Sequence, residues 1–294
     1  MHLSRRPKSD LIINNSNYRQ LIMEAMTQAL ILAGVALFTA LVAGGIPIMR
    51  GAQSEERQKM MTGVAAGVLL ASALLVALPE GFALTLSANP NIDSLWMGGA
   101  IIAGFILMLI LEAYGFGHDI HEEHHDHEHD HGHGHVHHPT NARSVVLGLS
   151  IHALTDGLAI GAAVASGEVS IALAVAVGVI AHKIPAAFSI GIFSMHERND
   201  TKAAWKDLML FSIAAPITIM LAFILLGDVS EQWIGLAILF SGGTFLYVAT
   251  VDVLPDVHHA DTGKKALLHV IIGVAIMMIV LIGLDLSGLI SHAH

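Results

Sequence analysis

Cysteine is absent from the 294 residues. That removes disulfides, thiolate metal ligands and thiol redox chemistry from consideration. Charge is scarce too, with 13% Asp, Glu, Lys and Arg against about 25% in a soluble domain. Positive charge is the scarcer sign: 14 Lys and Arg face 24 Asp and Glu, a formal net charge of −10. No connecting segment holds a basic patch, so a nucleic-acid partner is excluded. A cleavable signal peptide is not expected either, because the first apolar run, from about Ala25, is long and leads into further runs.

What the chain has instead is apolar length. Hydrophobic residues make up 54% and the mean hydropathy is +0.66. Runs of about 20 apolar residues cross a bilayer as helices, the form that satisfies every backbone polar group internally. The expected fold class is all-α and integral to the membrane, with eight spans near 25–49, 60–86, 95–115, 143–165, 169–195, 205–227, 232–256 and 266–290. The chain divides into an N-terminal tail (1–24), spans 1–3 (25–115), a long loop (116–142), spans 4–5 (143–196), and spans 6–8 with a short C-terminal tail (197–294).

Short cytoplasmic loops carry the excess of Lys and Arg. The loops after spans 1, 3, 5 and 7 hold Arg50, Arg57 and Lys59; Arg143; Arg198, Lys202 and Lys206; and Lys264 and Lys265, whereas those after spans 2, 4 and 6 hold none. The odd-numbered loops are therefore expected in the cytoplasm and both termini outside it. The tail residues Arg5, Arg6, Lys8 and Arg19 favour the opposite sense, but they represent one segment against seven connections. The expected location is a cell membrane, inner or plasma, with an organelle membrane as the alternative.

In this orientation two Leu-Pro-acid marks fall at opposite faces: A77-L-P-E-G81 in span 2 and V253-L-P-D256 in span 7. Spans 4 and 5 also run in opposite directions, each with a mid-length histidine. A three-two-three arrangement with inverted halves and a polar midplane site is the pattern of transporters. Proline at a helix end is the plainer account of each mark. Glu80, Asp252 and Asp256 serve either as entrance and exit groups for an ion or as interfacial caps.

Histidine is over-represented, with 20 copies. Eleven of them, His118, His121, His124, His125, His127, His129, His131, His133, His135, His137 and His138, alternate with Asp and Glu in the loop after span 3. Such a tract cannot bury a core and is expected to be disordered. It reads as loose capture of divalent metal or as a solvated linker, and capture is favoured because Glu would serve solubility better.

Two segments within the spans carry the chemistry: S150-I-H-A-L-T-D-G157 and I180-A-H-K-I-P-A-A-F188. His152 and Asp156 are four apart and so share a helix face. His182 and Lys183 precede Pro185, which frees the carbonyl of Ala181 from its helical bond. Each charge at this depth costs about 2.5–3.5 kcal/mol and usually marks a pathway. His152, Asp156 and His182 supply three of the four ligands of a tetrahedral divalent ion. A metal-free ion pair between Asp156 and Lys183 is the other reading. Ser150, Thr155, Ser189 and Ser194 rank below these, since hydroxyls in membrane helices bond back to their own helix.

H152-A-L-T-D-G-L-A-I-G161, H182-K-I-P-A-A-F188 and G242-G-T-F-L-Y-V-A-T-V-D-V-L-P-D256 together resemble the ZIP (Zrt/Irt-like) metal-ion transporters, most of all the branch containing the ninth human member. The resemblance covers spans 1–8. It implies eight helices with extracytoplasmic termini, a long cytoplasmic loop after span 3, and movement of zinc or a related ion toward the cytoplasm by two helical bundles. Many members carry H-N-x-x-[DE] and H-E-x-P-x-E, which supply two adjacent metal sites; here Ala153, Lys183 and Ala186 stand at three of those positions. A lysine ammonium neither coordinates metal nor tolerates a second dication beside it. A single ion is therefore expected, with Lys183 at the position of the second.

The resulting expectation is a secondary transporter, not an enzyme, carrying Zn2+ as substrate and needing no organic cofactor. The same donors accept Cd2+, Fe2+ and Mn2+. Its partners are divalent ions and the bilayer, with a homodimer left open. Histidines bind metal only when neutral, so acid should weaken loading. Two alternatives stand beside it. An exporter of the cation-diffusion-facilitator type would have six spans and a soluble C-terminal domain. A membrane zinc hydrolase or receptor would need H-E-x-x-H, or a third histidine, for which His269 lies too near a span end.

Overall fold

The structure, a computed structural model, describes residues 15–50, 55–114, 142–251 and 263–289. There is no strand among them. In chain order the helices are α1 (Asn15–Arg50), α2 (Glu55–Ser72), α3 (Leu78–Ala88), α4 (Ser94–Ala113), α5 (Ala142–Ala165), α6 (Val169–Arg198), α7 (Thr201–Leu226), α8 (Glu231–Val251) and α9 (Gly263–Leu286). Helices α2 and α3 form one span, Lys59–Ala88, so eight helical segments are long and apolar enough to cross a membrane. The protein is a multi-pass integral membrane protein. Its outward faces carry Phe38, Leu109, Ile272 and Ile279, all exposed, as lipid contact requires.

Helices α1, α6 and α7 run unbroken through Pro47, Pro185 and Pro216. The second span does not. Between α2 and α3 lies a five-residue π turn, Ala73–Ala77, closed by the Leu78 N–H on the Ala73 carbonyl. Pro79 follows at once. Its ring would strike the Leu75 carbonyl in a regular helix, and the widened turn lies where that clash would fall. π turns of this kind cluster at functional sites.

Connections between neighbouring spans are short where they can be followed. The α5–α6 link is Ser166–Gly167–Glu168, with Gly167 at φ 77°, a left-handed value that glycine adopts without steric cost. Asn199 at φ 46° ends α6, and the Asp200 carboxylate accepts from the Lys202 N–H to start α7. Arg198 grips Asp207 with both arms of its guanidinium, through Nε on Oδ2 and through Nη2 on Oδ1 at 3.0 Å. That ion pair ties the end of α6 to α7 and continues α6 past residue 195.

The spans pack as two groups of four. In one, α1 lies on α6 and α7, and α5 lies on α6 and α7. In the other, the α2–α3 span lies on α8, with α9 against α2 and α4 against α8. The groups meet chiefly where α2 touches α6 and where α5 touches α8. Two crossings inside the second group are close enough to require glycine. A Cβ on Gly67 or Gly273 would stand 2.1 or 2.2 Å from a carbonyl oxygen across the α2–α9 crossing; on Gly104 or Gly243 it would stand 2.0 Å from one across α4–α8.

Candidate metal centre

The α5–α6 turn sets the depth of the site. His152 lies 14 residues before Ser166 and His182 lies 14 residues after Glu168. At 1.5 Å per helical residue both imidazoles are about 21 Å from the turn. Two antiparallel neighbours so joined bring both rings to one level, and their centroids are 5.7 Å apart. Asp156, one turn beyond His152, completes the group.

All three side chains are buried, at 2%, 1% and 2% relative exposure for His152, Asp156 and His182. Asp156 Oδ1 stands 3.4 Å from Nε2 of His152 and 3.4 Å from Nε2 of His182. A tetrahedral ion with bonds of 2.0–2.1 Å separates its ligand atoms by about 3.3–3.4 Å. Two edges of that tetrahedron are therefore already set, and all three donor atoms lie within 4.8 Å of one another. The Nδ1–H of His182 donates to the Gly178 carbonyl at 3.0 Å, which fixes the tautomer that leaves Nε2 as the donor to an ion. Neither that Nε2 nor Asp156 Oδ1 has a hydrogen-bond partner. Buried polar atoms without partners are rare enough to call for an explanation, and a cation between them supplies one.

Lys183 lies against the same carboxylate on its other side. Its Nζ is 3.7 Å from Asp156 Oδ2 and 4.4 Å from the centroid of the Phe211 ring, with the side chain fully buried. The ion pair and the metal ligand set are thus not exclusive: one carboxylate oxygen faces the imidazoles and the other faces the ammonium.

The wall opposite comes from the other group of helices. Phe245 on α8 stands edge-on to both rings, at 6.1 Å from His152 and 5.5 Å from His182. Beside it the Thr155 and Thr244 hydroxyls are 3.1 Å apart, and Ser241 donates to the Thr155 carbonyl at 3.2 Å. A narrow cavity of about 40 Å³ runs from His152 and His182 past Ala186, Leu149 and Ser189 to Thr62. All four lie toward the membrane face where α2 and α5 begin and α6 ends. Of the secondary candidates, Ser150 and Thr155 bond back to their own helix at Val146 and His152. Ser189 lines the cavity, and Ser194 is buried near the end of α6.

Glu80 is half-buried on α3 and no part of the triad. Asp252, Asp256 and the eleven loop histidines from His118 to His138 lie outside the described residues. Phe245 and Phe211 had no role assigned from sequence. The available signal is the place of Phe245 in G242-G-T-F245, two residues after paired glycines that let helices close up.

The geometry meets its relatives at this point. A family model described as ZIP Zinc transporter matches residues 115–281. A protein named zinc transporter ZIP9 from Micropogonias undulatus is 33% identical over 328 residues, covering 92% of this chain and 100% of the relative. The chain belongs to the ZIP zinc transporter family. Zinc transporter ZIP9-A of Xenopus laevis is 32% identical over 314 residues with the same coverage, and human zinc transporter ZIP2 is 29% identical over 121 residues, 40% of this chain and 38% of its own. ZIP membership does not favour the cation-diffusion-facilitator reading. The hydrolase reading is not favoured either: His269 packs beside Gly63 on α2 and, among the described residues, takes no part in the triad.

Proposed function

We propose that this protein is a secondary transporter that carries zinc, or a divalent ion of like ligand preference, through a single site formed by His152, Asp156 and His182. The observation that carries this reading is the 3.4 Å spacing of Asp156 Oδ1 from both imidazole nitrogens at full burial. Two nitrogens and one oxygen hold a dication firmly, and a fourth position left to water or an incoming ligand keeps it exchangeable. Lys183 takes the place of a second ion. Cd2+, Fe2+ and Mn2+ fit the same donors.

The direction is toward the cytoplasm. The cavity from the triad leads to the face that bears Arg198, Lys202 and Lys206 after α6, and Lys264 and Lys265 at the start of α9, as cytoplasmic connections do. The His-rich segment, placed on that face by the same reckoning, would take up ions leaving the centre. A three-two-three inverted repeat is supported by the packing. Exchanging spans 1 with 6, 2 with 7, 3 with 8 and 4 with 5 turns the α1–α6 contact into α7–α5. It also turns the α2–α9 glycine crossing into α8–α4.

The test is zinc uptake into sealed proteoliposomes, wild type beside His152→Ala and His182→Ala. Losing a ligand should exceed the cost of losing its outer partner, so uptake should fall by at least about a hundredfold. Undiminished uptake in either variant overturns the site. Anomalous scattering at the centre should show one zinc ion; two ions there end the single-site reading.

A further inference from the structure

Lys183 is a charged group at the centre with no part in holding an ion, and it is fully buried. Packing does not account for it, because replacing a buried ion pair by apolar side chains of like volume is often neutral or stabilising. Nor does hydrogen bonding, since Nζ has no acceptor within reach. Its surroundings are the Asp156 carboxylate and the π face of Phe211.

Charge does account for it. With both imidazoles neutral, the empty triad alone would carry one uncompensated negative charge in the protein interior. The loaded triad carries one positive charge, two with Lys183, and has the ion's own coordinate bonds to offset it; the empty triad has no such bonds, and Asp156 Oδ1 and His182 Nε2 are left without partners. The empty centre is therefore the state in need of a counter-charge. Lys183 supplies it at Oδ2 and leaves Oδ1 to the ion, so it need not move aside when the ion arrives.

We propose that Lys183 is a tethered cation that neutralises the unloaded centre and so allows the empty protein to return between the states that face the two sides of the membrane. Lys183 is in this sense a positioning residue for the return step, not an ion ligand. The proposal rests on the carrier reading given above.

Two modes of flux separate the two. Net uptake into zinc-free vesicles requires the empty protein to return. Exchange of external labelled zinc for internal unlabelled zinc does not. Proteoliposomes of wild type, Lys183→Met and Lys183→Arg are compared in both modes. The ratio of net uptake to exchange should fall at least about tenfold in Lys183→Met, equivalent to ~1.4 kcal/mol on the return barrier. Lys183→Arg keeps the charge and should keep the ratio. Exchange by Lys183→Met also certifies that the variant is folded. An unaltered ratio in Lys183→Met overturns the proposal, as does loss of both modes in Lys183→Met and Lys183→Arg alike. Wild-type protein that shows uptake without exchange overturns the carrier reading itself, and the proposal falls with it.

Discussion

Helix α9 and helix α5 are both membrane spans, and they differ in opposite senses. The most apolar 18 residues of the α9 span have a mean hydropathy of 2.9 with 11% of them buried, whereas those of the α5 span have 1.6 with 78% buried. In a soluble protein the most apolar segments go inside. Here lipid is as apolar as any side chain, so greasiness gives no reason to be inside. Close packing and polar contacts decide the interior instead. Helix α5 qualifies through small residues and four buried polar side chains, Ser150, His152, Thr155 and Asp156, while α9 packs mainly through its glycine-lined crossing with α2. The least hydrophobic spans are where the chemistry lies.

Four substitutions bear on that contrast. Asp156→Ala on α5 should have the largest effect. It removes a ligand and leaves the Lys183 ammonium without its carboxylate, at about 3–5 kcal/mol for a broken buried pair. Thermal melting in detergent should drop accordingly and zinc uptake should vanish; a wild-type melting temperature would mean the pair does not hold the helices. Gly243→Leu comes next. Its side chain must enter the α8–α4 crossing, where the Ile101 carbonyl already occupies the space, and overpacking of that kind costs about 1–3 kcal/mol. Gly67→Leu at the α2–α9 crossing should match it, and a large disparity between the two would argue against equivalent halves. Ile279→Ala on the outer face of α9 is the control. That side chain is 69% exposed, and the melting temperature should reflect no more than about 0.5 kcal/mol.

Much of this was legible in the sequence, for definite reasons. Eight apolar runs announce eight spans because hydrocarbon permits no other backbone solution here. His152, Asp156 and His182 stood out because ionisable groups inside such runs need a reason to be there. The division of Asp156 between two partners was not legible: spacing shows that an imidazole and an ammonium are both within reach, but not that each takes its own oxygen. Phe245 and Phe211 were hidden because an aromatic ring in an apolar run contributes the same hydropathy whether it faces lipid or a histidine. The π turn at Ala73–Ala77 depends on how the second span relieves Pro79, and proline in α1, α6 and α7 is accommodated without one.

The passage that joins the triad to Thr62 has a consequence for selectivity. At about 40 Å³ it holds roughly three water molecules, fewer than the shell of a free aqueous dication. An ion using it travels largely undressed. Mg2+ parts with its shell reluctantly, so the bore of the passage adds to the choice made by the donors: an ion leaves the triad by it only once most of its water has been shed.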